Sequence, residues 1–235
     1  MTDHPYGFVA LWSQGDMVIK GVALALLLMS TLSWYVILTR VWRAAELRRA
    51  TTALNGFWHT QSFAEGITLL EAHSAFSPYT HLAQEGWAAV EHHNSSQSDL
   101  HGQISLADWL TESLRGAIDE SAERMQSGLA ILASVGSTAP FVGLFGTVWG
   151  IYHALVSLGS AGQVGIDKVA GPVGEALIMT AFGLAVAIPA VLAYNTLTRS
   201  NKGVVNRLHR FARQLHAYFL TGSPLQMDGL RRKGS

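Results

Sequence analysis

The chain has no cysteine in its 235 residues, which excludes disulfides, thiol nucleophiles and cysteine-ligated metals. Charge is scarce too. Asp, Glu, Lys and Arg make up 14% of the residues, against about a quarter in an average soluble domain. The 16 basic residues are balanced by 16 acidic ones, so no bulk positive charge points to nucleic acid. Catalytic signatures are missing as well. There is no P-loop, GxGxxG or GxSxG, and none of the ten histidines falls in HExxH or zinc-ligand spacing. These absences predict a protein that is not an enzyme and needs no cofactor or metal. Met1 to Asp16 carries Asp3 and Asp16 but no basic residue, so it does not read as a cleaved leader.

What the chain does have is apolar surface, gathered into three runs. A bilayer span takes about 20 apolar residues. Val18 to Leu38 is interrupted only by Lys20, whose stem reaches the headgroups from the segment's start. Trp34 and Tyr35 suit an interface at its other end. Gly128 to Leu158 contains no Asp, Glu, Lys or Arg. Val169 to Thr198 contains one charge, Glu175, and Pro172 is expected in its first helical turn. A buried helix of a soluble protein can be apolar all round, but 235 residues cannot bury three of them.

Basic residues set the orientation. None precedes the first run, whereas Arg40, Arg43, Arg48 and Arg49 follow it. The link before the third run holds only Lys168, and Arg199, Lys202, Arg207, Arg210 and Arg213 follow that run. The positive-inside rule then places the N-terminus outside and the C-terminus in the cytoplasm. The large loop after the first run is therefore cytoplasmic. It is expected to be helical, with the polar stretch His92 to Asp99 dividing it. The helix from Ser105 is expected to run unbroken into the second span. Val204, Leu208, Phe211, Leu215 and Tyr218, at spacings of 4, 3, 4 and 3, predict an amphipathic helix after the third span.

Few residues within the spans carry chemistry. An acid at the centre of a span costs about 2.5–3.5 kcal/mol on insertion scales, so Glu175 either faces a cavity or partner, or sits near the headgroups at a helix start. Thr147 shares a face with Gly136, Pro140, Gly143, Gly150 and Ala154. That stripe either lines a narrow space or packs against a helix, with the threonine bonded to its own backbone; wheel geometry favours packing. Ala176, Gly183, Ala187 and Ala190 form a similar stripe in the third span, flanked by Thr180 and Glu175. Asn195 lies near the cytoplasmic end, as a polar gate or an interface residue. Pro140 and Pro189 each free a carbonyl one turn earlier. His153 reads as a polar residue at the outer interface.

Two segments, PFVGLFGTVWGI at 140–151 and VAGPVGEALIMTAFGLAVAIPAVLAYN at 169–195, resemble the ExbB, TolQ and MotA family of proton-channel proteins. Within it the whole reads closer to the ExbB branch than to the TolQ branch, although GIYHALVSLG is reminiscent of the latter. The sequence departs from commoner members in AGPVGEAL, which displaces Gly171 and Pro172 but not Glu175. The resemblance implies a proton pathway lined by Thr147, Glu175 and Thr180, with helix packing through Gly143, Gly146, Gly150, Gly183, Pro140 and Pro189. It implies a homo-oligomer of five copies in the inner membrane, an ExbD-like single-span partner in the pore, and a TonB-like protein served by both. A partner-independent channel and a passive scaffold are the readings it competes with. The expected fold is all-α, with three transmembrane helices extending into a cytoplasmic helical domain. The expected layout is a short periplasmic N-terminus (1–17), first span (18–38), cytoplasmic helical loop (39–127), second span (128–158), periplasmic link (159–172), third span (173–198), cytoplasmic amphipathic helix (199–221) and disordered basic tail (222–235).

Overall fold

Six α-helices account for the described residues, and no strand is found among them. The computed structural model describes residues 16–74, 77–95, 105–160 and 167–223, with the backbone alone at 45, 46, 48–53, 55, 157, 158, 160, 167–172 and 175. In chain order the helices are α1 (Met17–Phe57), α2 (Phe63–Ser74), α3 (Pro78–Ser95), α4 (Leu106–Gln126), α5 (Leu129–Ser160) and α6 (Asp167–Thr221). Most of the expected N-terminal segment, part of the polar stretch after His92, residues 161–166 of the link and the tail from 224 lie outside the described residues. Three segments are long and apolar enough to cross a membrane, within Met17–Ala44, Leu106–Val156 and Ala176–Thr221. The chain is an all-α integral membrane protein built on them.

Two helix boundaries differ from the sequence reading. The helix from Ser105 does not run unbroken into the second span. It stops at Gln126, where the Ser127 N–H donates back to the Glu123 carbonyl at 3.0 Å. Gly128 then takes φ of 79° before α5 begins. Glycine enters that left-handed region without steric cost, and a run of good helix formers around it conceals the break. The second difference is the start of α6 at Asp167, which puts Pro172 beyond the first turn rather than in it. Its missing N–H forfeits one bond, to the Lys168 carbonyl, and the helix continues.

The chain divides into two compact units, residues 1–40 with 128–197 and residues 41–127 with 198–235. The first is three helices around an apolar core. Val22, Leu26 and Val36 of α1 meet Leu132, Val135 and Ala139 of α5 and Met179, Ala187 and Ala190 of α6. Its outside is apolar as well: Leu27, Leu28, Tyr35, Phe141, Phe145 and Leu192 are all exposed. Such a unit, apolar inside and out, suits lipid rather than water.

The second unit buries a conventional core and shows water-compatible faces. Phe57 is packed edge-on by Phe63 and Phe211, each at 5.4 Å between ring centroids. Pairs of this kind add about 0.5–1.5 kcal/mol beyond their buried area. Val204, Leu208, Phe211 and Leu215 are buried in the same cluster, with Tyr218 partly so. The Trp58 indole N–H donates to the Gln214 amide oxygen at 3.3 Å. α4 starts on a Ser105 cap whose hydroxyl accepts the Asp108 N–H. The Asn201 amide donates to the Met125 carbonyl at 2.8 Å, and His216 Nε2 lies 3.3 Å from the Ala107 carbonyl. Those two contacts make α4 and this part of α6 antiparallel neighbours.

Candidate functional site

The small residues of α5 and α6 bring the two backbones into contact. A Cβ on Gly143 would lie 2.5 Å from the Met179 carbonyl oxygen, and one on Gly183 would lie 2.6 Å from that of Ala139. Gly136 faces Val191, and Gly150 faces Ala176. These pairs step along the helices in opposite directions, which defines one antiparallel register. Gly146 points elsewhere, toward Val22 of α1 as well as Met179. Pro140 sits inside α5, with its Cα against Gly183. Its ring leaves the Gly136 carbonyl without an intrahelical donor, as Pro189 does for Ala185 in α6.

Thr147 is held at this seam and is only 6% exposed. Its hydroxyl oxygen lies 2.6 Å from that of Thr180, 3.1 Å from the Gly143 carbonyl of its own helix and 3.1 Å from the Ala176 carbonyl across the seam. A hydroxyl has one proton to give and two lone pairs to receive with. When Thr147 donates to either carbonyl, the short contact with Thr180 requires Thr180 to donate into Thr147. When Thr147 donates to Thr180 instead, the direction reverses. The pair therefore holds two proton arrangements of the same heavy atoms, reached by rotating hydroxyls alone. Thr180 is half-buried, so the second hydroxyl stands at the rim of the seam.

Glu175 immediately precedes Ala176, whose carbonyl accepts from Thr147; the side chain of Glu175 lies outside the described residues. Asn195 is exposed and 15 residues beyond Thr180, about 22 Å along the helix axis, so it belongs to a different level. The sequence singled out both threonines but not their bond. A helical wheel orders faces within one helix and carries no register between two. One contact escaped the sequence altogether. Asp16, just ahead of α1, lies with its carboxylate 3.2 Å from His153 Nε2, and the His153 ring packs 4.8 Å from that of Trp149. Nothing in a sequence separation of 137 residues signals that meeting.

Residues 89–210 match the MotA/TolQ/ExbB proton channel family, and this stretch contains the whole α5–α6 seam. The chain belongs to that family. The biopolymer transport protein ExbB of Xanthomonas campestris pv. campestris is 42% identical over 219 residues, which cover 90% of this chain and 85% of that protein. ExbB of Neisseria gonorrhoeae is 40% identical, covering 89% of this chain and 96% of that one. The Tol-Pal system protein TolQ of Pseudomonas aeruginosa is 34% identical, covering 88% and 90%. Membership makes the chain a subunit of an ExbB/TolQ-type stator, and the three apolar helices agree with a multi-pass inner-membrane protein.

Proposed function

We propose that this chain is the ExbB-type subunit of an inner-membrane stator, in which five copies form a ring around the single transmembrane helices of an ExbD-like partner and drive a TonB-like protein. The observation that carries the reading is the hydrogen-bonded Thr147–Thr180 pair, set within a family match and 40–42% identity to ExbB proteins over most of the chain. The lower identity to TolQ ranks the Tol-Pal role second. The N-terminus is periplasmic, and the second unit with the C-terminus is cytoplasmic, as the basic residues flanking the spans require.

Moving one proton down the membrane potential releases about 2.3 kcal/mol per 100 mV. The described spans hold Lys20 but no relay of acids across a bilayer, so a partner acid must carry the proton. The partner's aspartate takes it from the periplasmic side. The Thr180 hydroxyl, at the rim of the seam, then solvates the aspartate in either protonation state, donating or accepting as the buried Thr147 hydroxyl behind it turns to match. Glu175 sets the field near that point or exchanges the proton. Neutral, the aspartate no longer resists an apolar wall, and the inner helices move relative to the ring. Asn195 lines the same pore at its cytoplasmic level.

Complementation tests the reading. Wild type, Glu175→Gln and Thr147→Ala are expressed with an ExbD-type partner in a strain lacking both stator pairs, at matched membrane levels. Growth on a siderophore as sole iron source with wild type, and its loss with Glu175→Gln, is the expected outcome. Rescue of detergent resistance instead would assign the chain to the Tol-Pal role. Equal rescue by all three proteins would make it a passive scaffold.

A further inference from the structure

Two charged faces of the second unit are left without partners. From Ala176 to Thr221, α6 has no acidic residue, whereas Arg199, Lys202, Arg207, Arg210 and Arg213 are all exposed. None of the five makes an ion pair among the described residues. At about 100° per residue, Arg199, Arg210 and Arg213 point opposite to buried Leu208 and Leu215, with Lys202 beside them and Arg207 at the margin of the face. The complement lies on α4. Glu112, Asp119 and Glu123 are exposed and point opposite to buried Leu110, Leu114 and Ser121. Glu120 is already engaged by His81 and Arg124, and Asp108 by the Ser105 cap, but these three acids make no ion pair or side-chain hydrogen bond among the described residues.

We infer that the two faces are halves of one interface between copies: the basic face of α6 in one copy docks on the acidic face of α4 in the next. This rests on the ring reading above. A contact between two different faces is heterologous and closes into a ring when the rotation permits. Register supports the match. Within one copy Asn201 lies beside Met125 and His216 beside Ala107. A rotation about an axis along these helices preserves height. The neighbour's Glu123, Asp119 and Glu112 then stand level with Lys202, Arg207 and Arg213. Arg210 comes level with Arg115 and Arg199 with Arg124, two like-charge meetings, although Arg124 is already paired with Glu120. A surface of anionic headgroups, or an acidic peptide, would explain the basic face and leave the acidic one unexplained. Exposed ion pairs are individually weak and salt-screened, so their work here is to fix orientation and register rather than to hold the ring together.

The absence of cysteine makes the test clean. Differently tagged chains carrying Glu112→Cys and Arg213→Cys are co-expressed with the ExbD-type partner and treated in membranes with a short bis-maleimide. Neither chain alone can make the mixed link. The inference predicts mixed dimers in excess over both same-residue dimers. In parallel, native mass spectrometry sizes the oligomers formed by Glu112→Lys/Asp119→Lys, by Arg207→Glu/Arg213→Glu, and by all four reversals together. Each half-reversal sets like charges against each other, so it is expected to lose the full-size oligomer at low salt and to recover part of it as salt is raised, and the fourfold reversal to keep it at low salt. A full-size oligomer with no mixed link and no effect of reversal overturns this interface and leaves the ring reading standing. A monomeric wild type overturns the ring reading itself. If only the arginine reversals matter, and they abolish binding to phosphatidylglycerol vesicles without changing oligomer size, the basic face belongs to lipid and the interface is overturned.

Discussion

Thr147 concentrates the chemistry of the seam in one hydroxyl. Removing it while keeping the shape, with Thr147→Val, takes away its hydrogen bonds to Thr180 and across the seam to the Ala176 carbonyl. Interhelical hydrogen bonds in membranes contribute about 0.6 kcal/mol on average and up to about 1.7 kcal/mol. Thr147→Val is therefore expected to lower resistance to unfolding in sodium dodecyl sulfate by about that range, and Thr147→Ser to keep most of it. Energised transport separates the two roles of this residue: if the pair serves the proton, Thr147→Val stops iron uptake even where its membrane level is normal, whereas Thr147→Ser preserves uptake. The sequence exposed Thr147, Thr180 and Glu175 as candidates because polar groups in apolar runs are conspicuous. It did not expose the bond between the threonines, which depends on how α5 and α6 are offset. Nor did it expose the Asp16–His153 contact, since one is a residue ahead of α1 and the other one of ten histidines.

At the scale of the element, glycine positions differ sharply in what they tolerate. Gly143→Ala drives a methyl against the Met179 carbonyl, a backbone atom that cannot rotate away. Overpacking of this kind costs about 1–3 kcal/mol, and loss of the α5–α6 contact should show as reduced thermal stability in detergent. Gly116→Ala on α4 meets nothing within 4 Å and is expected to raise stability by about 0.5–1 kcal/mol in the same measurement. Gly128→Ala is a third case, because the space is adequate but φ of 79° is not. A side chain there costs about 1–2 kcal/mol, which should appear as a lower melting temperature. Hydropathy made the existence of the three apolar helices legible. Their ends were less so: α1 continues to Phe57 through a stretch rich in Ala, Leu, Glu and Arg, whereas α6 starts at Asp167 despite Gly171 and Pro172 in its opening turns. The break at Gly128 depends on a single dihedral angle that composition does not reveal.

For the whole molecule, the lack of cysteine again offers a direct assay. Gly159→Cys should react with an impermeant maleimide added outside intact spheroplasts, and Ser223→Cys only after the membrane is opened. The reverse pattern would invert the proposed topology. Reconstituted alone, the chain should pass few protons, and adding the ExbD-type partner should raise the flux. Substantial flux without the partner would favour an independent channel. The glycine seam bears on how such a machine can move. At Gly143 and Gly183 the two backbones approach so closely that a single added carbon would collide with the facing helix. α5 and α6 are indexed there like two meshed teeth, which favours their travelling together. In the proposed ring, a stroke set off by a proton would then be taken up at the boundary with another chain, each α5–α6 pair acting as a stiff bearing surface and not as a spring.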